Sequence, residues 1–112
     1  MSEKTKQIID LEKRHGVGNY NPLPVVLTKG KDCRLWDVDG KAYIDMMGAY
    51  SAVGHGHTHP KILQALVDQA EQLAVVSRAY YTDKLGAFLQ KACQLTGQES
   101  ALPMNTGSEA VE

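Results

Sequence analysis

Three features of the 112-residue sequence predict an α/β chain. Two short runs joined by Asp39-Gly40 have the form of a β-hairpin. Two later stretches carry apolar residues at helical spacing. Near the end, Asn105-Thr106-Gly107-Ser108-Glu109 reads as a strand-to-helix junction.

The elements follow in order. Ser2 to Arg14 reads as a helix, with Ser2 as its cap, Ile8, Ile9 and Leu11 on its apolar side, and Gly16 as its stop. Gly16 to Pro24 is irregular, because its glycines and prolines preclude a regular element. Val25-Val26-Leu27-Thr28 is the expected first strand, and Lys29-Gly30-Lys31-Asp32 the turn after it. Cys33 to Val38 and Lys41 to Met46 are the hairpin strands. Asp39-Gly40 fits a two-residue turn with positive φ at both positions. The Val25 strand joins them as a third antiparallel member, and so small a sheet needs a cover over one face.

Gly48 to His57, rich in small residues and histidine, reads as loop. Thr58 or His59 caps the next helix, with Pro60 at its first position and Ile62, Leu63, Leu66, Ala70 and Leu73 as its stripe. Val75 to Tyr81 is extended or looped. Thr82 and Asp83 start a further helix, whose buried face is expected at Leu85, Phe88, Leu89, Ala92 and Leu95, with Gly97 as its stop. Ala101-Leu102-Pro103-Met104 reads as a short strand. Thr106-x-x-Glu109 is a capping box at the start of one last helix. A helix begun there has barely a turn before Glu112, and isolated turns that short do not hold in water. The sequence therefore reads as the front portion of something larger.

Composition narrows the function. With 43% hydrophobic and 22% charged residues the chain is of globular type, long enough for one domain with a modest core. A net charge of −1 supplies no field for nucleic acid or an anionic membrane, so neither is an expected partner. No apolar run approaches the roughly 20 residues of a membrane span. Met1 to Gln7 has no signal or transit character, which makes the cytoplasm the expected compartment. Cys33 and Cys93 are expected to be free and largely buried thiols.

Candidate site residues lie in the loops. Thr106-Gly107-Ser108 at a helix N-terminus directs backbone N–H groups and hydroxyls at one spot, which suits a phosphate; an ordinary capped helix start has the same residues. Tyr20, Tyr50, Tyr80 and Tyr81 all fall in expected loops, where a hydroxyl and a flat ring serve either a ligand or packing. Arg78 has the chemistry to clamp a carboxylate or phosphate, and equally that of a surface ion pair. His55, His57 and His59 alternate as metal ligands do on a strand. The surrounding Gly54, Gly56 and Pro60 argue for a turn, in which a histidine hydrogen-bonds locally.

Taken together, these segments resemble the N-terminal part of the class III, pyridoxal-phosphate-dependent aminotransferases. The hairpin Leu35-Trp36-Asp37-Val38-Asp39-Gly40-Lys41-Ala42-Tyr43-Ile44-Asp45, the run Gly56-His57-Thr58-His59-Pro60-Lys61-Ile62, and Leu102-Pro103-Met104-Asn105-Thr106-Gly107-Ser108-Glu109-Ala110 are similar to the family at large. Asn19-Tyr20-Asn21-Pro22-Leu23-Pro24-Val25, Ala49-Tyr50-Ser51-Ala52-Val53 and Ser77-Arg78-Ala79-Tyr80-Tyr81 resemble its ornithine aminotransferase branch. Acetylornithine and 4-aminobutyrate enzymes usually read differently there.

The resemblance implies a fold-type I transferase. Residues 1–50 would form a small N-terminal segment and 51–100 a helical region that packs on the large domain and a dimer partner. Residues 101–112 would open the cofactor-binding domain. It implies pyridoxal 5′-phosphate as cofactor, held at its phosphate by Gly107 and Ser108 with Thr106 beside them, and a substrate pocket lined by Tyr20 and Tyr50. It also implies a homodimer and a reaction that moves the δ-amino group of L-ornithine to 2-oxoglutarate, giving glutamate 5-semialdehyde and glutamate. Gly48, Gly54 and His55 depart from the Ser, Asn and Gln usual in the ornithine enzymes, and they flank the substrate loop. The family's cofactor-bearing lysine, its aspartate for the pyridine nitrogen and its carboxylate-binding arginine lie further along. No catalytic residue is therefore assigned here, and the chain alone is expected to be inactive.

Overall fold

The computed structural model describes residues 1–112 as a helix, a three-stranded antiparallel sheet and three further helices. The chain divides into two compact units, Met1–Gln72 and Leu73–Glu112.

In the first unit, α1 spans Glu3–His15. The Ser2 side chain accepts the Thr5 N–H at 3.1 Å, Glu3 occupies the first turn, and Lys13, Arg14 and His15 complement the dipole in the last. The first turn also grips the hairpin. Ser2 Oγ donates to Asp39 Oδ1 at 2.7 Å and Thr5 Oγ1 to Asp39 Oδ2 at 3.0 Å, which leaves Thr5 buried.

The sheet runs in the order β1 (Leu27–Lys31), β2 (Arg34–Asp37), β3 (Ala42–Ile44), antiparallel throughout as the sequence predicts. Its boundaries differ from expectation in several places, and β3 ends at Ile44 rather than Met46. The first strand begins at Leu27 rather than Val25, because Pro24 has no N–H and Val25 N–H turns back to Leu23 O at 2.7 Å. It also continues through Lys29-Gly30-Lys31, where Lys29 lies over the Trp36 ring, so the connection to β2 is Asp32-Cys33, with Asp32 at φ +52°. Four residues, Val38 to Lys41, separate β2 from β3, not two. Gly40 alone takes positive φ and its N–H closes a turn on Asp37 O at 3.0 Å. The Asp37 carboxylate favours this form by accepting the N–H groups of Asp39 and Lys41 and the Tyr43 hydroxyl.

Beyond β3 the chain turns irregularly to α2, Pro60–Leu73, with Pro60 at its first position as expected. Thr58 does not cap it; its hydroxyl donates to Gly30 O on β1 at 3.0 Å. Isolated pairing of Asp32 with His57 ties this segment to the β1–β2 turn.

In the second unit, α3 spans Leu85–Thr96 and ends on Gly97 in the left-handed conformation. The helix starts later than Thr82, whose hydroxyl instead accepts the Leu85 N–H at 3.3 Å. Ala101–Met104 is not a strand: no element of the chain pairs with it. The last helix, α4 (Gly107–Val111), does form, held by both halves of the expected capping box.

No hydrophobic residue is buried, so the modest core and the buried face of α3 are not realised within the chain. Leu66 is 65% exposed on α2 and Phe88 58% exposed on α3, where Leu85, Leu89 and Ala92 are half-buried, so the α2 stripe is bare and the α3 stripe partly so. The thiols are free as expected, but Cys33 is exposed and Cys93 half-buried. No helix is long and apolar enough to cross a membrane.

Candidate functional site

Tyr20 sits in the irregular segment after α1 and Tyr50 in the loop after β3, and the structure brings their hydroxyls together at 3.1 Å. Both rings are otherwise exposed. The Tyr20 hydroxyl pushes the Tyr50 phenol above its ordinary value. A hydroxyl pair on an open face offers one free proton and several lone pairs, suited to the ammonium and carboxylate of an amino acid.

Unusual backbone presents Tyr50. Gly48, Ala49, Tyr50 and Ser51 all have positive φ, a short left-handed stretch, closed by Val53 N–H to Gly48 O at 3.2 Å. Such a conformation costs about 1–2 kcal/mol for each non-glycine residue, and it persists only where its surroundings over-determine it. Nothing in the Ala-Tyr-Ser sequence announces it.

The surroundings are Asp45 and His57, which sequence reasoning did not single out as a pair. Asp45 Oδ1 accepts the N–H groups of Met47 and Gly48 at 3.0 and 2.9 Å, and Oδ2 meets His57 Nε2 at 2.7 Å. The Gly48 N–H, then His57, hold the Asp45 carboxyl below its usual range. The alternating histidines thus include one engaged with the nearest acid, the local hydrogen bonding expected of a turn. His59 Nδ1, by contrast, is buried without a partner.

In the second unit, the Thr106 side chain accepts the Glu109 N–H at 3.1 Å, and Glu109 Oε2 accepts those of Asn105 and Thr106 at 3.0 Å each. The box leaves the N–H groups of Gly107 and Ser108, and the Ser108 hydroxyl, without an acceptor in the chain. A Cβ built on Gly107 meets nothing within 4 Å, and Thr106, Gly107 and Ser108 are all exposed. Three unengaged donors at a helix start fit a phosphate group chemically. Arg78, Tyr80 and Tyr81 lie exposed before α3, in and just after a turn closed by Tyr80 N–H to Ser77 O.

The family model described as aminotransferase class III matches residues 16–112. An ornithine aminotransferase of a Geobacillus strain is 53% identical over 109 residues, which cover 97% of this chain and 27% of that protein. Among solved structures, an acetylornithine aminotransferase from Elizabethkingia anophelis is 54% identical with a TM-score of 0.91, covering 96% of this chain and 28% of the other. The ornithine aminotransferase of Toxoplasma gondii, whose structure shows pyridoxal phosphate at partial occupancy in its active site, is 36% identical with a TM-score of 0.92 over 96% of this chain and 25% of the other. The chain thus spans about a quarter of the length of the relatives it matches. The match reaches from the end of α1 through the tyrosine pair to the capped start of α4, and on that extent the chain belongs to the class III aminotransferases.

Proposed function

We propose that this chain is the N-terminal segment of an ornithine aminotransferase that moves the δ-amino group of L-ornithine to 2-oxoglutarate. The observation that carries the reading is the Tyr20–Tyr50 hydroxyl pair, which joins two segments that read as the ornithine branch of the family. Tyr20 and Tyr50 hold the α-amino and α-carboxylate end of the donor, leaving the δ-amine to face the reacting centre. Gly107 and Ser108, with Thr106 beside them, hold the phosphate of pyridoxal 5′-phosphate. That cofactor, when bound, supplies the electron sink for amino transfer.

The remaining assignments follow the same reading. Residues 1–50 act as the small N-terminal segment, 51–100 as the helical region that meets the large domain and a partner subunit, and 101–112 as the opening of the cofactor domain. The bare α2 stripe and the partly bare α3 stripe support a homodimeric parent in which they are covered. No residue here is assigned to proton transfer, and the 112-residue chain alone has no transaminase activity.

The 54% identity to an enzyme named for acetylornithine favours one second reading, an acetylornithine aminotransferase with the same cofactor. Exchange of residues 1–112 for the matching segment of the Geobacillus enzyme separates the two. Glutamate formation from 2-oxoglutarate is followed with L-ornithine and with N-acetylornithine as donor. Preference for ornithine supports the first reading; preference for the acetylated donor replaces it with the second.

A further inference from the structure

We infer that Asp45 and His57 are positioning residues for Tyr50, forming a clasp that holds the left-handed Tyr50 loop so that its hydroxyl reaches Tyr20. The functional consequence rests on the pocket reading above; the positional one stands apart from it.

Both ends of the loop are anchored to the same β1–β2 turn. Asp45 N–H donates to Cys33 O at 2.8 Å, while His57 exchanges two backbone hydrogen bonds with Asp32, at 2.8 and 3.1 Å. Between these anchors the only side-chain closure is the Asp45 carboxylate, which spans the neck from the N–H groups of Met47 and Gly48 to the His57 ring. The side chains of Asp45 and His57 are 11% and 20% exposed, in a chain that otherwise buries almost nothing. A half-buried charge-assisted bond of this kind is stronger than an exposed pair. The site is also shaped for the imidazole. A Cβ at Gly30 would lie 2.9 Å from His57 Cβ and Cγ, so glycine at that position of β1 is what admits the ring. The loop it closes carries three non-glycine residues in left-handed conformation, which relax to ordinary φ once the neck opens. The Tyr50 hydroxyl has no hydrogen-bond partner besides Tyr20, and its own backbone N–H closes back on Met47 O at 3.2 Å, so the position of the loop decides whether the pair forms.

The test uses the Geobacillus exchange protein labelled with ¹³Cζ-tyrosine, read by NMR across alkaline pH. Tyr50, recognised by its loss in Tyr50→Phe, titrates above the ordinary phenol value in the parent because of Tyr20. Asp45→Ala brings it back toward that value. Gly30→Ala does the same without removing a polar group, by displacing His57. Asp45→Asn, which keeps an oxygen for the Met47 and Gly48 N–H groups, gives a smaller change. Tyr43, raised by Asp37 within the sheet, serves as the fold control and does not move in any of them. An unchanged Tyr50 titration in both Asp45→Ala and Gly30→Ala, with Tyr43 intact, overturns the clasp. In the Geobacillus exchange protein the same two variants raise KM for ornithine more than they lower kcat. If Tyr50 moves in the spectra while the kinetics do not, the clasp stands and the pocket reading falls.

Discussion

Tyr20 and Tyr50 lie thirty positions apart in sequence, on either side of the sheet in chain order, and their hydroxyls meet at 3.1 Å. The contact joins a proline-rich segment to a left-handed loop, two stretches with no regular structure of their own. In the proposed reading, this contact lies at the donor end of the pocket.

Tyr50→Ile in the Geobacillus exchange protein removes the polar ring and leaves an apolar wall at the donor end of the pocket. Donor choice then shifts toward 4-aminobutyrate, which has no α-amino group to be held there. Competition between the two donors checks this, and an unchanged kcat/KM ratio contradicts it.

Thr106→Ala deletes half of the capping box and lowers the stability of the α4 start by about 0.5–2 kcal/mol. Pyridoxal phosphate affinity of the exchange protein falls with it, and falls again in Ser108→Ala, while KM for ornithine with saturating cofactor stays constant. Fluorescence titration with the cofactor measures both. Wild-type affinity in both variants removes Thr106 and Ser108 from the phosphate site.

The hairpin has a predictable response to acid. Asp37 is held below its usual value of 3.8, chiefly by the Tyr43 hydroxyl, against the opposing effect of desolvation. A carboxylate depressed in the folded state contributes stability that is complete above its unfolded pKa and is lost as pH falls through the folded one. Amide protection at Asp39 and Lys41 is therefore constant above about pH 4 and declines below it, and in Asp37→Asn that decline is absent. Hydrogen exchange between pH 2 and 6 provides the measurement.

The bare α2 stripe and the partly bare α3 stripe predict self-association of the chain by itself. Leu66→Glu and Phe88→Glu place charges on α2 and α3 and lower the scattering mass at a given concentration. A monodisperse parent chain by light scattering contradicts the expectation that these faces are covered in a longer protein.

Local chemistry was legible in the sequence; what depends on distant partners was not. Ser2, Pro60, Gly97 and the Thr106/Glu109 box mark helix ends because capping acts within a turn. The stripes on α2 and α3 were legible too, but their burial was not, since this chain leaves the α2 stripe exposed and covers the α3 stripe only at Leu85, Leu89 and Ala92. Asp39-Gly40 was read as a two-residue turn because the dipeptide alone does not reveal Asp37 reaching forward to two N–H groups. Leu102 reads as strand, yet a strand needs a neighbour to pair with, and the chain holds none. At the site, the tyrosines and Thr106-Gly107-Ser108 were visible as residue types in loops. The Asp45–His57 clasp was not, because its partners meet only through the return of the loop to Asp32.

The central claim, that Tyr20 and Tyr50 act together at the donor end, is tested most directly by a double-mutant cycle on kcat/KM for L-ornithine in the exchange protein. Tyr20→Phe and Tyr50→Phe each lower it by roughly three- to a hundred-fold, with cofactor affinity unchanged. The double variant loses less than the product of the single effects, because each hydroxyl is held by the other. Strictly multiplicative losses, or wild-type values in all three variants, would contradict the account.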